Sequence, residues 1–199
     1  AALQNFQPPG FQGGGFGNVT MSSFGGGRTI INGVTYTGNV TVMNGRVVTN
    51  GGTTSMHTGV EVYVTLPAQS GVRYRSENGT LHTAGFLAAI EAAATNGSVK
   101  VDQVGRLKAD AQNGSVKVGR ITEWIEAEAS NGSIKVDDYA GSACRVRAGN
   151  GSVNFTVARA ATGRLDIRAG NGSIRLFGVR GRSDLDVNAT AGNGTVHKN

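Results

Sequence analysis

Between Val72 and Val196 apolar and polar residues alternate with a period of two, the pattern of β-strands that bury one face. The alternation is interrupted by a recurring tripeptide, Asn-Gly-Ser/Thr, which begins at Asn78, Asn96, Asn113, Asn131, Asn150, Asn171 and Asn193. Successive copies lie 18, 17, 18, 19, 21 and 22 residues apart. Counted from each asparagine, the sixth residue before it is Val72, Ile90, Leu107, Ile125, Cys144, Leu165 or Val187. The second before it is Ser76 once and alanine in every later copy, and the third after it is always Leu, Val or Ile. These columns predict two short strands per repeat, with small side chains on one making room for branched ones on the other.

Self-similarity at this period points to a stacked repeat architecture. The predicted fold is all-β, a β-solenoid of the parallel β-helix kind with coils of 17–22 residues. The alternative is an antiparallel meander, in which Asn-Gly closes hairpins. The outward column five before each asparagine separates the two. It reads Arg73, Glu91, Lys108, Glu126, Arg145, Asp166, alternating in sign at every step. In a parallel stack each charge lies between two opposite ones, a favourable arrangement, whereas a meander gives the alternation no purpose. The solenoid is therefore preferred.

The seven asparagines are expected to form a structural corner ladder. Asn-Gly accepts left-handed backbone angles at a tight bend, and stacked amides bond to one another. The same tripeptide is an N-glycosylation acceptor pattern, but its fixed spacing suits a ladder better than seven glycans. Gly-Gly-x-Gly-x-Asp nonapeptides, which would bind calcium, do not occur.

Composition narrows the function. Of 199 residues 32 are glycine, only 16% are charged, and there is one cysteine, so neither an internal disulfide nor a thiolate metal cluster is available. Three scattered histidines (His57, His82, His197) and no Ser-His-Asp or Gly-x-Ser-x-Gly pattern argue against catalysis. No catalytic residue, metal or cofactor is predicted. No apolar run is long enough to form a membrane-spanning helix. Cys144 takes an aliphatic position in its column and reads as a small buried hydrophobe.

The net charge of +6 lies entirely in residues 139–199, because residues 1–138 are neutral overall. Four residues after each asparagine stand His82, Lys100, Lys117, Lys135, Asn154, Arg175 and His197. Like charges directly opposite each other destabilise a sheet, so this row is a candidate polyanion-binding strip, extended by Arg180 and Arg182. Asp102 and Asp137 stand two residues beyond Lys100 and Lys135 and are placed to neutralise them. The expected partner is an acidic polysaccharide or other cell-surface polyanion, with no specific nucleic-acid recognition. Trp124, the sole tryptophan, falls one position before an inward column, as a packing residue or a platform for a sugar.

The strand Val60-Glu61-Val62-Tyr63-Val64-Thr65-Leu66-Pro67, then Val72-Arg73-Tyr74-Arg75-Ser76-Glu77-Asn78-Gly79, carries a resemblance that the later NGSVKV, NGSIKV and NGSIRL copies strengthen. Over residues 28–199 the chain resembles bacterial adhesin-type β-strand-repeat families of unknown function, including autotransporter-type adhesin heads. The resemblance implies an exported, secreted or cell-surface β-solenoid and transfers no functional residues.

Three segments are expected. Residues 72–199 form the regular solenoid. Residues 28–71, with Asn32-Gly33, Asn44-Gly45 and Asn50-Gly51 at shorter spacing, form irregular coils or a cap. Residues 1–27, uncharged and glycine-rich, form an arm whose Phe6, Phe11, Phe16 and Phe24 suit a subunit interface, with Val196 at the opposite end. The start at Ala1-Ala2 fits removal of a signal peptide. A solenoid whose two ends differ can polymerise head to tail, with the arm donated to a neighbouring copy as an added strand. The sequence thus predicts a non-enzymatic surface protein, self-assembling into a filament, or alternatively a monomeric adhesin for polyanions.

Overall fold

The computed structural model describes residues 62–67 and 69–199 in full, and the strands within 19–49 by their backbone course. The early strands are β1 (Val19–Phe24), β2 (Arg28–Ile31), β3 (Val34–Thr37), β4 (Val40–Met43) and β5 (Arg46–Thr49). There follow β6 (Val62–Thr65), β7 (Gly71–Ser76), β8 (Leu81–His82), β9 (Phe86–Ala94), β10 (Val99–Ala111) and β11 (Val116–Ala129). The last are β12 (Ile134–Tyr139), β13 (Ala143–Ala148), β14 (Val153–Val157), β15 (Gly163–Ala169), β16 (Ile174–Phe177), β17 (Leu185–Ala191) and β18 (Val196–Lys198).

From β7 onward every pairing is parallel between consecutive coils, so this part is a β-solenoid of about seven turns. The strands before each Asn-Gly form one sheet, here the charged sheet: β7, β9, the second half of β10, the second half of β11, β13, β15 and β17. The strands after it form the lysine sheet: β8, the first halves of β10 and β11, β12, β14, β16 and β18. The long strands β10 and β11 pass from one sheet to the other, and their mutual register shifts between Val104 and Arg106, where the coil bends.

The period-two pattern sorts the side chains as expected. Val72, Ile90, Leu107, Ile125, Cys144 and Leu165 stack in register inside the charged sheet, all buried. Facing them are Val99, Val116, Ile134, Val153 and Ile174, each fully enclosed. Burying one such side chain contributes about 1.5–3 kcal/mol, and the columns repeat that gain once per coil. In the middle coils Ala92, Ala109 and Ala127 fill the next inward position. Val146 and Ile167 replace them later in the stack, and the rings of Tyr139 and Phe155 pack 5.2 Å apart.

One expectation is corrected: the Asn-Gly corners do not use the left-handed backbone angles that the dipeptide accepts. Among the described residues only Gln69, Gly85, Gly163, Gly178 and Gly181 have positive φ, and none is a corner residue. The corner glycines are required by crowding instead. A Cβ built on Gly97, Gly114, Gly132, Gly151 or Gly172 would penetrate the carbonyl oxygen of the corner glycine one coil earlier. The chain turns where successive coils touch backbone to backbone, and only hydrogen fits there.

Before the repeat lies the segment 28–71, expected as irregular coils or a cap. Here β2 pairs antiparallel with β3, with Ile31 opposite Val34, and β4 pairs antiparallel with β5, with Met43 opposite Arg46. Two residues separate the partners in each case, the spacing of a two-residue hairpin. Asn-Gly therefore has hairpin spacing in this segment and marks coil corners in the repeat. β1 lies parallel on β7, with Val19 opposite Val72 and Ser23 opposite Ser76, while β4 lies parallel on β6. Val62, Val64 and Leu66 pack against the solenoid core.

Candidate functional site

In-register parallel stacking makes every outward column a row of equivalent positions about 4.8 Å apart. Three such rows hold most of the residues singled out by the repeat. The first is the asparagine corner. Nδ2 of Asn96 donates to Oδ1 of Asn78 at 2.9 Å, and the same bond recurs from Asn113 to Asn96, Asn131 to Asn113, Asn150 to Asn131, Asn171 to Asn150 and Asn193 to Asn171. The amide row is thus polar, running in one direction through all seven repeats. Beside it the hydroxyls of Thr80, Ser98, Ser115 and Ser133 each accept from the backbone N–H of the equivalent residue in the next coil, at 3.3–3.4 Å.

The second row lies on the charged sheet. Arg73, Glu91, Lys108, Glu126, Arg145 and Asp166 stand directly opposite one another in that order. Arg73 pairs with Glu91 at 2.7 Å, and Glu126 sits between Lys108 at 3.9 Å and Arg145 at 3.8 Å. Asp166 is held by Arg168 of its own strand at 3.1 Å. Only the first of these pairs is substantially enclosed, so each of the others contributes no more than about 1 kcal/mol. Their joint effect is to fix coil order without leaving uncompensated charge.

The third row, on the lysine sheet, does not alternate in sign. Lys100 is opposite His82 and Lys117, Lys117 is opposite Lys135, Lys135 is opposite Asn154, and Arg175 lies between Asn154 and His197. All three lysines are exposed. Lys135 pairs with Asp137 at 2.8 Å, whereas Asp102 accepts from the backbone N–H of Gly85 at 2.9 Å. Among the described residues Lys135 is the only one of the three lysines with an ion pair.

Of the other candidate residues, Arg180 lies on the loop after β16, outside this row. Arg182 leaves the strip altogether, because its guanidinium donates to the carbonyls of Ala158 and Ala161 and to Asp184. That contact holds the Asp184 carboxyl below the usual carboxylate range. The arginine pins the loop that follows β14, a role sequence spacing did not reveal. Phe6, Phe11 and Phe16 lie outside the described residues. Phe24 ends β1, paired with Arg28, and Val196 begins β18, half-buried beyond Ile174. Part of the expected arm, Val19–Ser23, thus lies on the first coil of its own chain.

The Cys144 thiol is buried, and burial together with the Asp166 carboxylate pushes its ionisation far upward, so it is not poised as a nucleophile. Among the described residues no cluster of three His, Cys, Asp or Glu side chains could hold a metal ion, and no helix is long and apolar enough to cross a membrane.

No curated protein and no solved structure matches the chain. One family model does, over residues 27–199, which takes in the early hairpins as well as the solenoid. With a match over most of the chain and coils of this length stacked in parallel through its larger part, the chain belongs to the family described as Toastrack DUF4097, a β-solenoid-like repeat family of unknown function.

Proposed function

We propose that this domain is a non-catalytic scaffold of an exported or cell-surface protein, which binds a linear polyanion along the lysine sheet. The observation that carries this reading is the stacking of Lys100, Lys117 and Lys135 in strict register with no acid between them. Equal charges at this spacing work against the fold, while the neighbouring sheet shows that the same architecture accommodates alternating signs. An extended polyanion running along the solenoid axis would meet one ammonium per coil, with the outward hydroxyls of Ser98, Ser115 and Ser133 two residues away. Acidic polysaccharide has this form.

The test is retention of the full chain on immobilised heparin and on polygalacturonate, beside a Lys100→Ala/Lys117→Ala/Lys135→Ala variant and a neutral dextran control. Retention is expected at low salt, falling as salt screens the exposed charges, and lost in the variant. A wild-type chain that passes unretained at low salt, or a variant retained like wild type, would overturn the proposal.

A second reading, head-to-tail self-association, is favoured by the far end of the solenoid. There Val187, Ala189, Ala191 and Val196 are only partly buried, and among the described residues no strand pairs with the outer edges of β17 and β18. Because β1 already lies on β7 within the chain, such association would join that far end to the capped first coil, not exchange this strand. Light scattering across a concentration series, for wild type and Ala189→Asp, tests it. A monodisperse monomer up to high concentration would exclude it.

A further inference from the structure

The position seven before each asparagine, on the charged sheet, begins with Gly71 and the buried Ala89 and from Asn113 onward carries Arg106, Trp124, Ala143, Arg164 and Asp186 as in-register neighbours. Ala143 is the shortest of these neighbours, and Trp124 and Arg164 beside it are long. The methyl of Ala143 therefore floors a notch of about 400 Å³ between Trp124 on one side and Arg164 on the other. Two strand spacings, roughly 9.5 Å, separate the backbones of the two walls. The adjoining row, Glu126, Arg145 and Asp166, forms the rim.

We infer that this notch is a saccharide subsite, taking one neutral pyranose ring stacked on Trp124 with its hydroxyls on Glu126, Arg145 and Arg164. Its chemistry differs from that of the lysine row. Two carboxylates and two guanidiniums border it, so the charges cancel locally. A phosphate or sulfate group would meet Glu126 and Asp166 as well as the arginines. A ring of hydroxyls, each both donor and acceptor, satisfies both signs. The arginines are loosely held: Arg145 approaches Glu126 only to 3.8 Å, Arg164 approaches Asp186 only to 3.7 Å, and both are more than half exposed. They can turn to a ligand without breaking a close pair. Trp124, half-buried, offers a flat apolar face at little cost in rotamer freedom, and apolar surface with a few convergent polar groups is the usual composition of a small-molecule site.

Trp124 is the sole tryptophan, so its emission reports on this site alone. The full chain is titrated with maltotriose, cellotriose and chitotriose, each to tens of millimolar, and with heparin as the charged comparison. A saturable change with at least one neutral trisaccharide is expected. Ala143→Leu fills the notch from an exposed position and should weaken that response about tenfold, with the circular dichroism spectrum unchanged. Arg164→Ala should weaken it without altering the emission of the free protein. No saturable response to any of the three sugars, a response to heparin alone, or a response unchanged in Ala143→Leu would each overturn the inference.

Discussion

Gly132→Ala tests the claim that the corner glycines answer to crowding and not to backbone angle. A Cβ on Gly132 would sit inside the carbonyl oxygen of Gly114, 2.6 Å from its carbon and 3.2 Å from the amide nitrogen of Ser115. Relief requires the two corners to separate by more than an ångström. The bonds that hold them are Asn131 N–H to the Gln112 carbonyl at 2.7 Å and Asn131 Nδ2 to Asn113 Oδ1 at 2.9 Å. Stretched by that amount, both leave hydrogen-bonding range. Two lost bonds cost about 1 kcal/mol each, and overpacking strain adds about 1–3 kcal/mol. The expected loss is about 3–5 kcal/mol, a large part of the ~5–15 kcal/mol available to a domain. Gly181→Ala is the contrast: its φ is +74°, yet nothing lies within 4 Å of the new Cβ. Only the left-handed penalty applies there, about 1–2 kcal/mol. Urea denaturation followed by circular dichroism at the β-sheet minimum measures both. If Gly132→Ala proved no more costly than Gly181→Ala, crowding would be refuted as the reason for the repeat's most regular residue.

Two further outcomes follow from the rows and a third from the Arg182 clamp. Asn113→Asp removes the donor to Asn96 and sets a carboxylate oxygen against its Oδ1, at a cost of about 1–2 kcal/mol, whereas Asn78→Asp only has to accept and should be near neutral; equal losses in denaturant titrations would refute the polarity of the amide ladder. Lys117→Ala relieves repulsion from both neighbours and should raise stability by about 0.2–1 kcal/mol, seen as a higher midpoint; a clear loss would show that the lysine row supports the fold. Asp184, with its carboxyl held low by Arg182, contributes stability that is complete above the ordinary carboxylate value of about 4 and disappears as pH falls through its lowered folded-state value. The melting-temperature gap between wild type and Asp184→Asn should hold from neutral pH to about 5 and close as the pH falls below the ordinary carboxylate value and through the lowered one; a gap unchanged in strong acid would refute the linkage.

Parts of this architecture are legible in the sequence because in-register stacking writes itself into columns. The aliphatic column from Val72 to Leu165 and the sign alternation from Arg73 to Asp166 can be read without coordinates, since each residue's neighbour is its counterpart one repeat away. What was illegible depends on contacts that no period encodes. Asn32-Gly33 and Asn44-Gly45 look like the later corners, but the residues that follow differ: the repeat continues Ser/Thr and then an aliphatic, whereas here Val34 and Arg46 follow directly. That missing hydroxyl was the available signal for hairpin spacing. The Arg182 clamp reaches back 24 residues to Ala158 across a loop of irregular length. The Trp124 notch exists because the column position next to it happens to be Ala143, a small residue that reads as unremarkable in isolation.

The same stacking rule sets the lysine row apart from the other two. A parallel solenoid places each outward residue between its own equivalents, so a column is stable when its residue complements itself or alternates with its opposite. Asparagine meets the first condition, because one amide both donates and accepts. The row from Arg73 to Asp166 meets the second. Lysine meets neither, and Lys117 has a lysine on each side. A fold that satisfies the rule in two neighbouring rows has the means to satisfy it in the third, for example by glutamate at the Lys117 position. Like charges also stand opposite in pairs on the charged sheet, Asp110 on Glu128 and Arg147 on Arg168, but among the described residues only the lysine row places three in succession, and a run of that length is the kind of departure from stability expected at a binding site. If Lys117→Glu raised stability and abolished heparin retention together, one substitution would show both the cost of the row and its use. If retention survived that charge reversal, the row would have to be explained without a polyanion.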